Sequence, residues 1–220
     1  MIVEPNRYIE HTNLNTDLID RDIDRLVAEA KSHQFQGVCI PPFWVKKASR
    51  ELKDTEIQLV TVIGFPLGYQ RTESKIKEIE LAIEDGADEL DLVMNVSAFK
   101  SGMNWPKIEM AKAAKLAHEN NKLLKLIVET ALLSTEELAK VCKIVSDAGV
   151  DFIKTSTGFS SRGANTRDVE IMKENVSANV GIKASGGIKS YEQLKELVVV
   201  GAERIGTSSG VAIMKEFRNE

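Results

Sequence analysis

The sequence predicts a single α/β domain over residues 1–220, a (β/α)8 barrel of the TIM type. Three observations carry that expectation. Short apolar, β-branched runs alternate with stretches of helical periodicity eight times along the chain. One phrase recurs within that alternation: Gly86-Ala87-Asp88-Glu89-Leu90, Ala148-Gly149-Val150-Asp151-Phe152 and Val200-Gly201-Ala202-Glu203-Arg204. Each reads as a glycine that stops a helix, an acidic residue, then a strand, so the repeat is that of βα units. Third, polar residues interrupt strand-like runs that a doubly covered parallel sheet would keep apolar. A doubly wound open sheet is the alternative. Against it, no GxGxxG follows the first strand and the units do not divide into two halves.

In order, residues 8–12 (YIEHT) are a short first strand, polar toward its end. Asp20 is expected to cap a helix over 20–34, with Ile23, Leu26, Val27 and Ala30 on one face. Residues 37–40 form a buried strand stopped by Pro41-Pro42, and a helix follows to about residue 52. QLVTVI at 58–63 is the clearest strand of the first half, and Gly64 to Gly68 is a turn-rich loop. Thr72 is expected to cap a helix over 72–85. Strands at 89–94 and 123–129 flank a helix at 105–119. Ser134-Thr135-Glu136-Glu137 has capping-box spacing and opens a helix to about residue 147. A strand at 152–155, a helix at 167–175 and a strand at 180–185 follow. Ser190-Tyr191-Glu192-Gln193 is a second capping box, for a helix to about residue 199. The eighth strand is at 203–206, and the last helix starts near Ser208 or Ser209 and ends near Phe217. Trp44 and Trp105 open helices and are expected to pack.

Bulk properties narrow the class. A net charge of −4 with interspersed signs and no basic stripe argues against a nucleic-acid partner. The apolar runs are too short to span a bilayer, and residues 1–10 lack the basic and apolar regions of a signal peptide. Cys39 and Cys142 form no CxxC pair, so a reducing, cytoplasmic location is expected. His11, His33 and His118 form no HxxH or HExxH, so no metal site is expected.

The chemistry concentrates at strand ends, where barrels of this kind carry their sites. Asp91 lies in the fourth strand, Lys125 in the fifth, Lys154 in the sixth and Lys183 in the seventh. Adjacent strands bring Lys154 and Lys183 to roughly 5 Å. Two ammonium groups so close repel, and one is driven toward the neutral amine that attacks carbonyl carbon. Asp91 offsets the positive charge. Strand-end lysines reaching solvent would be the bland explanation, but for four such residues in consecutive strands it is the weaker one. Lys125, mid-strand, suits the charge network better than the chemistry. Ser185-Gly186-Gly187 and Gly206-Thr207-Ser208-Ser209-Gly210, after strands seven and eight, have the composition of a phosphate site, with Thr157-Gly158 adding donors. The same residues also make ordinary turns. Cys39 reads as a core residue more than a nucleophile, and His11 is equally a site-lining or a structural residue.

The segments DELDLVMNV, LLKLIVET, VDFIKTSTGF, GIKASGGI and RIGTSSG resemble the deoxyribose-phosphate aldolases, class I enzymes, and the likeness runs from about residue 9 to 214. The resemblance implies reversible cleavage of 2-deoxy-D-ribose 5-phosphate to D-glyceraldehyde 3-phosphate and acetaldehyde, without a cofactor, by a homodimer or homotetramer. It makes Lys154 the Schiff-base lysine, Lys183 the activating lysine and Asp91 the proton-relay carboxylate. It implies substrate or phosphate contacts at Thr12, Cys39, Lys125, Thr157, Gly158, Gly186, Gly187, Gly206, Ser208 and Ser209. Three departures stand out: Glu10 replaces the family's usual aspartate, which would alter substrate contacts. Phe159 stands where some members carry a lysine near the phosphate. Residues 216–220 include no tyrosine, so a tail-assisted proton transfer would be slower or fall to water. Another imine-forming lyase or transaldolase, and a non-catalytic phosphosugar-binding barrel, remain competing readings.

Overall fold

The computed structural model describes residues 2–219; Met1 and Glu220, on which parts of the chain-start and chain-end readings fall, lie outside the described residues. Eight parallel strands close a barrel in chain order. They are β1 (Ile9–Thr12), β2 (Gly37–Ile40), β3 (Gln58–Ile63), β4 (Glu89–Val93), β5 (Leu123–Ile127), β6 (Phe152–Lys154), β7 (Gly181–Ser185) and β8 (Arg204–Thr207). β8 pairs back onto β1, with Glu10 opposite Gly206. The helices are α1 (Asp20–His33), α2 (Val45–Glu51), α3 (Thr72–Glu84), α4 (Val96–Lys100), α5 (Trp105–Glu119), α6 (Thr135–Ala148), α7 (Thr166–Asn175), α8 (Tyr191–Val199) and α9 (Gly210–Phe217). The expected barrel is therefore the observed one, with each strand within a residue or two of its expected limits. No helix among the described residues is long and apolar enough to cross a membrane.

The core follows from two periodicities. Along a strand, alternate residues face opposite sides. Leu90 and Leu92 of β4, Leu124 and Leu126 of β5, and Ile182 and Ala184 of β7 belong to the main apolar core, shared with helix stripes such as Ile23, Leu26 and Ala30 of α1. Their alternates, Glu89, Asp91, Lys125 and Lys183, are buried too, although charged. The barrel lumen is thus where the charge goes.

Helix ends agree with sequence chemistry in some places and not in others. The Ser134 hydroxyl accepts from the Glu137 N–H at 3.2 Å, and Glu137 Oε2 accepts from the Ser134 N–H at 2.9 Å. Ser190 and Gln193 form the second reciprocal cap. Asp20, however, is the first helical residue and not the cap. Ile19 holds the cap position, and Asp22 reaches back to accept its N–H at 3.0 Å. Thr72 does not cap α3 either; its hydroxyl donates to Glu109 Oε2 at 2.9 Å, joining α3 to α5. The same Glu109 accepts from buried Lys75 at 2.6 Å, so the hydroxyl is recruited by a buried ion pair. α4 was not anticipated; it is a single turn capped by Asn95. Trp44 packs partly against the core, while Trp105, at the first residue of α5, is largely exposed. Cys142 packs on α6, and burial pushes its thiol up to about 12.

Replacing Ser134 by Ala removes one arm of a reciprocal cap and should cost about 1 kcal/mol. A urea titration is expected to show a lower midpoint with an unchanged slope; an unchanged midpoint would mean that this cap contributes nothing.

Candidate active site

Six ionisable side chains meet inside the barrel. β1 contributes Glu10, β4 Glu89 and Asp91, β5 Lys125, β6 Lys154 and β7 Lys183, all buried. Strand register brings them together: Asp91 pairs with Lys125 across β4 and β5, and Lys154 with Lys183 across β6 and β7. Asp91 is the hub. Its Oδ1 accepts from Lys125 at 3.1 Å, and its Oδ2 accepts from Lys154 at 2.8 Å and Lys183 at 2.7 Å. Glu10 pairs closely with Lys183 and lies 3.5 Å from Lys125, which also pairs closely with Glu89. Gly206 makes room for this arrangement: a Cβ there would stand 3.2 Å from Lys183 Cε.

The electrostatics follow from three cations facing three carboxylates. Burial alone would raise the carboxyl of Asp91, but Lys125, Lys154 and Lys183 outweigh it and hold it well below the usual range. Glu10 is lowered likewise, by Lys125 and Lys183 against burial. Burial works against the charge on Lys183, yet Asp91 and Glu10 prevail and raise it; Lys125 is raised by the same balance. Lys183 is therefore a held cation beside Lys154.

A cavity of about 470 Å³ opens above the cluster at the C-terminal ends of the strands. Of the three lysines in the lumen, Lys154 alone lines it. Thr12, Thr157, Gly158, Gly186, Gly187, Gly206 and Ser208 are brought to its wall. The loop after β6 lies against the loop after β7: a Cβ on Gly163 would clash with the Gly186 carbonyl, and the Ala164 N–H donates to Ser185 O at 3.0 Å.

Other expected contacts fall elsewhere. Lys125 is sealed in the charge cluster and does not reach the cavity, because β5 carries it one layer below Lys154. Cys39 is fully buried against Val60 and Val62, off the cavity wall, and burial raises its thiol. Ser209 lies at the start of α9 beside the wall, with its N–H taken by Thr207 Oγ1 at 2.9 Å. Glu10 faces Lys183 and not the cavity, which places it in the charge network. His11 lines the cavity, and its Nε2 meets Glu29 Oε2 at 2.7 Å; burial lowers its pKa although Glu29 opposes. Phe159 stands at the mouth, edge-on to Phe65 with centroids 5.3 Å apart.

Sequence reasoning missed four participants. Glu89 carries a legible signal, since it shares the inward period-two face with Asp91. Glu129, just past β5, accepts hydrogen bonds from Thr157; its only sequence signal was an acid ending an apolar run. Arg25 of α1 and Lys189 of the β7–α8 loop line the cavity and place positive charge there, and neither lies in a strand.

The chain matches the family model described as DeoC/LacD family aldolase over residues 7–216. It is 47% identical over 213 residues to a deoxyribose-phosphate aldolase of Mycoplasmopsis pulmonis, covering 97% of this chain and 96% of that one. A deoxyribose-phosphate aldolase of Lactococcus lactis subsp. lactis is 47% identical over 210 residues, covering 96% and 95%. Among solved structures, the aldolase QR15 superposes with a TM-score of 0.94 at 38% identity, covering 99% of this chain and 97% of that one. The tetrameric deoxyribose phosphate aldolase of Aeropyrum pernix superposes with a TM-score of 0.91 at 31% identity, covering 97% and 91%.

Asp91 and Glu10 have folded pKa values below their unfolded ones, so their stabilisation is present above the ordinary carboxylate range and is lost as pH falls through it. Lys183 and Lys125 are raised, so theirs is present below the ordinary lysine range and fades as pH climbs beyond it. The melting temperature should therefore hold a plateau between about pH 5 and 10 and fall on both sides. Asp91→Asn leaves buried Lys154 without its carboxylate partner and should cost about 3–5 kcal/mol on the plateau while shrinking the acid limb. An unchanged acid limb, followed by circular dichroism, would contradict this charge assignment.

Proposed function

The chain belongs to the DeoC/LacD aldolase family, and from that premise we propose that it works as a class I enzyme whose Schiff base forms on Lys154. It is an aldolase that cleaves 2-deoxy-D-ribose 5-phosphate reversibly to D-glyceraldehyde 3-phosphate and acetaldehyde. One observation carries the choice of lysine: Lys154 stands on the cavity wall, while Lys183, bound to the same Asp91 oxygen, is sealed behind it.

The steps follow from this geometry. Lys154 releases a proton and, as the amine, adds to C1 of the open-chain sugar; the carbinolamine takes up a proton and loses water to give a protonated imine. The protonated imine carries a positive charge at Nζ beside Asp91 Oδ2, and that charge is neutralised when the enamine forms. Acetaldehyde has two carbons, so the bond that breaks is C2–C3. The C3 hydroxyl loses its proton, the C3–O bond becomes the carbonyl of glyceraldehyde 3-phosphate, and the C2–C3 electrons pass into the imine to give an enamine. The enamine is protonated at C2, and water releases acetaldehyde from Lys154. Lys183, held cationic, and Asp91 carry protons to and from this centre through water.

The glycine-rich loops after β6, β7 and β8 and the N-terminus of α9 take the phosphate, with Thr12, Gly158, Gly186, Gly187, Gly206, Ser208 and Ser209 as contacts. Phe159 supplies no charge there, and Lys189 and Arg25 lie on the same cavity wall. Residues 1–220 act as one catalytic domain, in the cytoplasm, on small molecules and not nucleic acid. A homodimer or homotetramer is the expected assembly, a reading that the tetrameric relative from Aeropyrum pernix supports.

Borohydride reduction in the presence of acetaldehyde should leave an N-ethyl group on Lys154 by peptide mass spectrometry, absent in Lys154→Leu. Lys183→Met should lower kcat about 10²–10⁴-fold, the usual range for acid–base groups, with activity in the wild type unaffected by EDTA. No adduct on Lys154 would overturn the imine reading, and an adduct on Lys183 would reverse the two roles.

A further inference from the structure

Glu129 sits where its backbone is disfavoured. It is buried, 5% exposed, at φ +55°, a left-handed conformation that suits glycine or asparagine far better than glutamate. Such positions persist only when the surroundings hold them, and here the side chain is what the fold retains. Glu129 Oε2 accepts from the Thr157 N–H at 3.2 Å and, closely, from the Thr157 hydroxyl. Its other oxygen, Oε1, is buried without a hydrogen-bond partner among the described residues. The segment is anchored on both sides of the residue: the Val128 N–H donates to Lys154 O at 3.0 Å, and the Thr130 N–H to Thr155 O at 2.9 Å. The carboxylate is thus fixed against the strand that carries Lys154.

The consequence lies in the hydrogen-bond inventory of Thr157. A threonine hydroxyl has one proton and two lone pairs. The proton is committed to Glu129 Oε2, and the Phe159 N–H occupies one lone pair at 3.1 Å. One lone pair is left, on a side chain that lines the cavity three residues beyond Lys154. Toward a bound sugar, Thr157 can therefore only accept.

We propose that Glu129 is a positioning residue that locks Thr157 as a hydrogen-bond acceptor for the C3 hydroxyl of the substrate, drawing that proton away as the C2–C3 bond breaks. The C3 O–H donates to Thr157 Oγ1, which donates to Glu129, and the carboxylate strengthens the first bond by polarising the second. Without the carboxylate the hydroxyl rotates, can donate to the substrate oxygen, and holds the proton in place. In the synthetic direction the same chain returns the proton to the new C3 oxygen. The proposal rests on the aldolase reading above, and deepens it by naming what handles the C3 proton.

The test separates the chemistry at C3 from the chemistry at Lys154, because acetaldehyde forms the imine but has no C3 hydroxyl. Glu129→Ala should lower kcat for deoxyribose 5-phosphate cleavage about 10²-fold. KM should change little, and borohydride trapping of acetaldehyde on Lys154 should proceed at the wild-type rate. Glu129→Gln keeps a neutral acceptor for the Thr157 hydroxyl and should lose only about 10-fold. Thr157→Val keeps the side-chain shape and serves if Glu129→Ala does not fold. It should lose as much as that variant, and adding Glu129→Gln to it should then cost less than about 2-fold further, since coupled groups are not additive. Wild-type kcat in Glu129→Ala, an undiminished effect of Glu129→Gln in the Thr157→Val background, or trapping lost in step with cleavage would overturn the proposal. Absence of trapping in the wild type is a different result and would remove the aldolase reading itself.

Discussion

The structure turns on the enclosure of three lysines and three carboxylates in the lumen of a barrel. Each of these charges would be costly to bury alone, by several kcal/mol even after relaxation. Together they are tolerated because Asp91 binds all three lysines, Glu10 reaches two of them and Glu89 one. The arrangement has little freedom. Remove Asp91 and Lys154 is stranded; remove the closure of β8 onto β1, and Glu10 no longer reaches Lys183. Fold and site are therefore one problem, and the strand register that closes the barrel also sets the distances between reactive groups.

The same enclosure divides labour among chemically identical residues. Lys125 is lowest in the lumen and balances charge. Lys183 is held as a cation by Asp91 and Glu10. Lys154 shares its Asp91 oxygen with Lys183 but reaches the cavity. The glutamate at position 10 fits this picture. Glu10 reaches across the lumen to Lys183 and to Lys125, so its role is in the charge balance and not in gripping the sugar.

Much of this could be read from the residues. The eight strands followed from β-branched runs between glycine stops, and the lysines of β5, β6 and β7 stood out because apolar strands have no other reason to carry them. The capping boxes at Ser134 and Ser190 are local chemistry, so they appeared as written. What failed depended on tertiary partners. Asp20 and Thr72 have the right side chains to cap, but Asp22 and Glu109 decide those ends. Trp105 has an apolar side chain on a helix start that faces solvent. Lys125 lies below the cavity and Cys39 packs against Val60 and Val62 off its wall, placements that a strand pattern does not encode. Glu129 was missed because its role depends on Thr157, 28 residues away, and on a backbone conformation that no motif announces. Which of Lys154 and Lys183 would bond to substrate was likewise not decidable from spacing; the family resemblance named Lys154, and of the two Lys154 is the one on the cavity wall.

The central claim is that the buried cluster keeps Lys183 protonated while Lys154 meets the substrate. Site-resolved NMR titration of 13C-labelled lysine side chains tests it most directly. The account predicts that the Lys183 resonance stays that of an ammonium until above the ordinary lysine range, and that it moves down toward that range in Glu10→Gln. A Lys183 that titrates below the ordinary range in the wild type would contradict the account, because the lumen would then hold a neutral amine where the mechanism requires a cation.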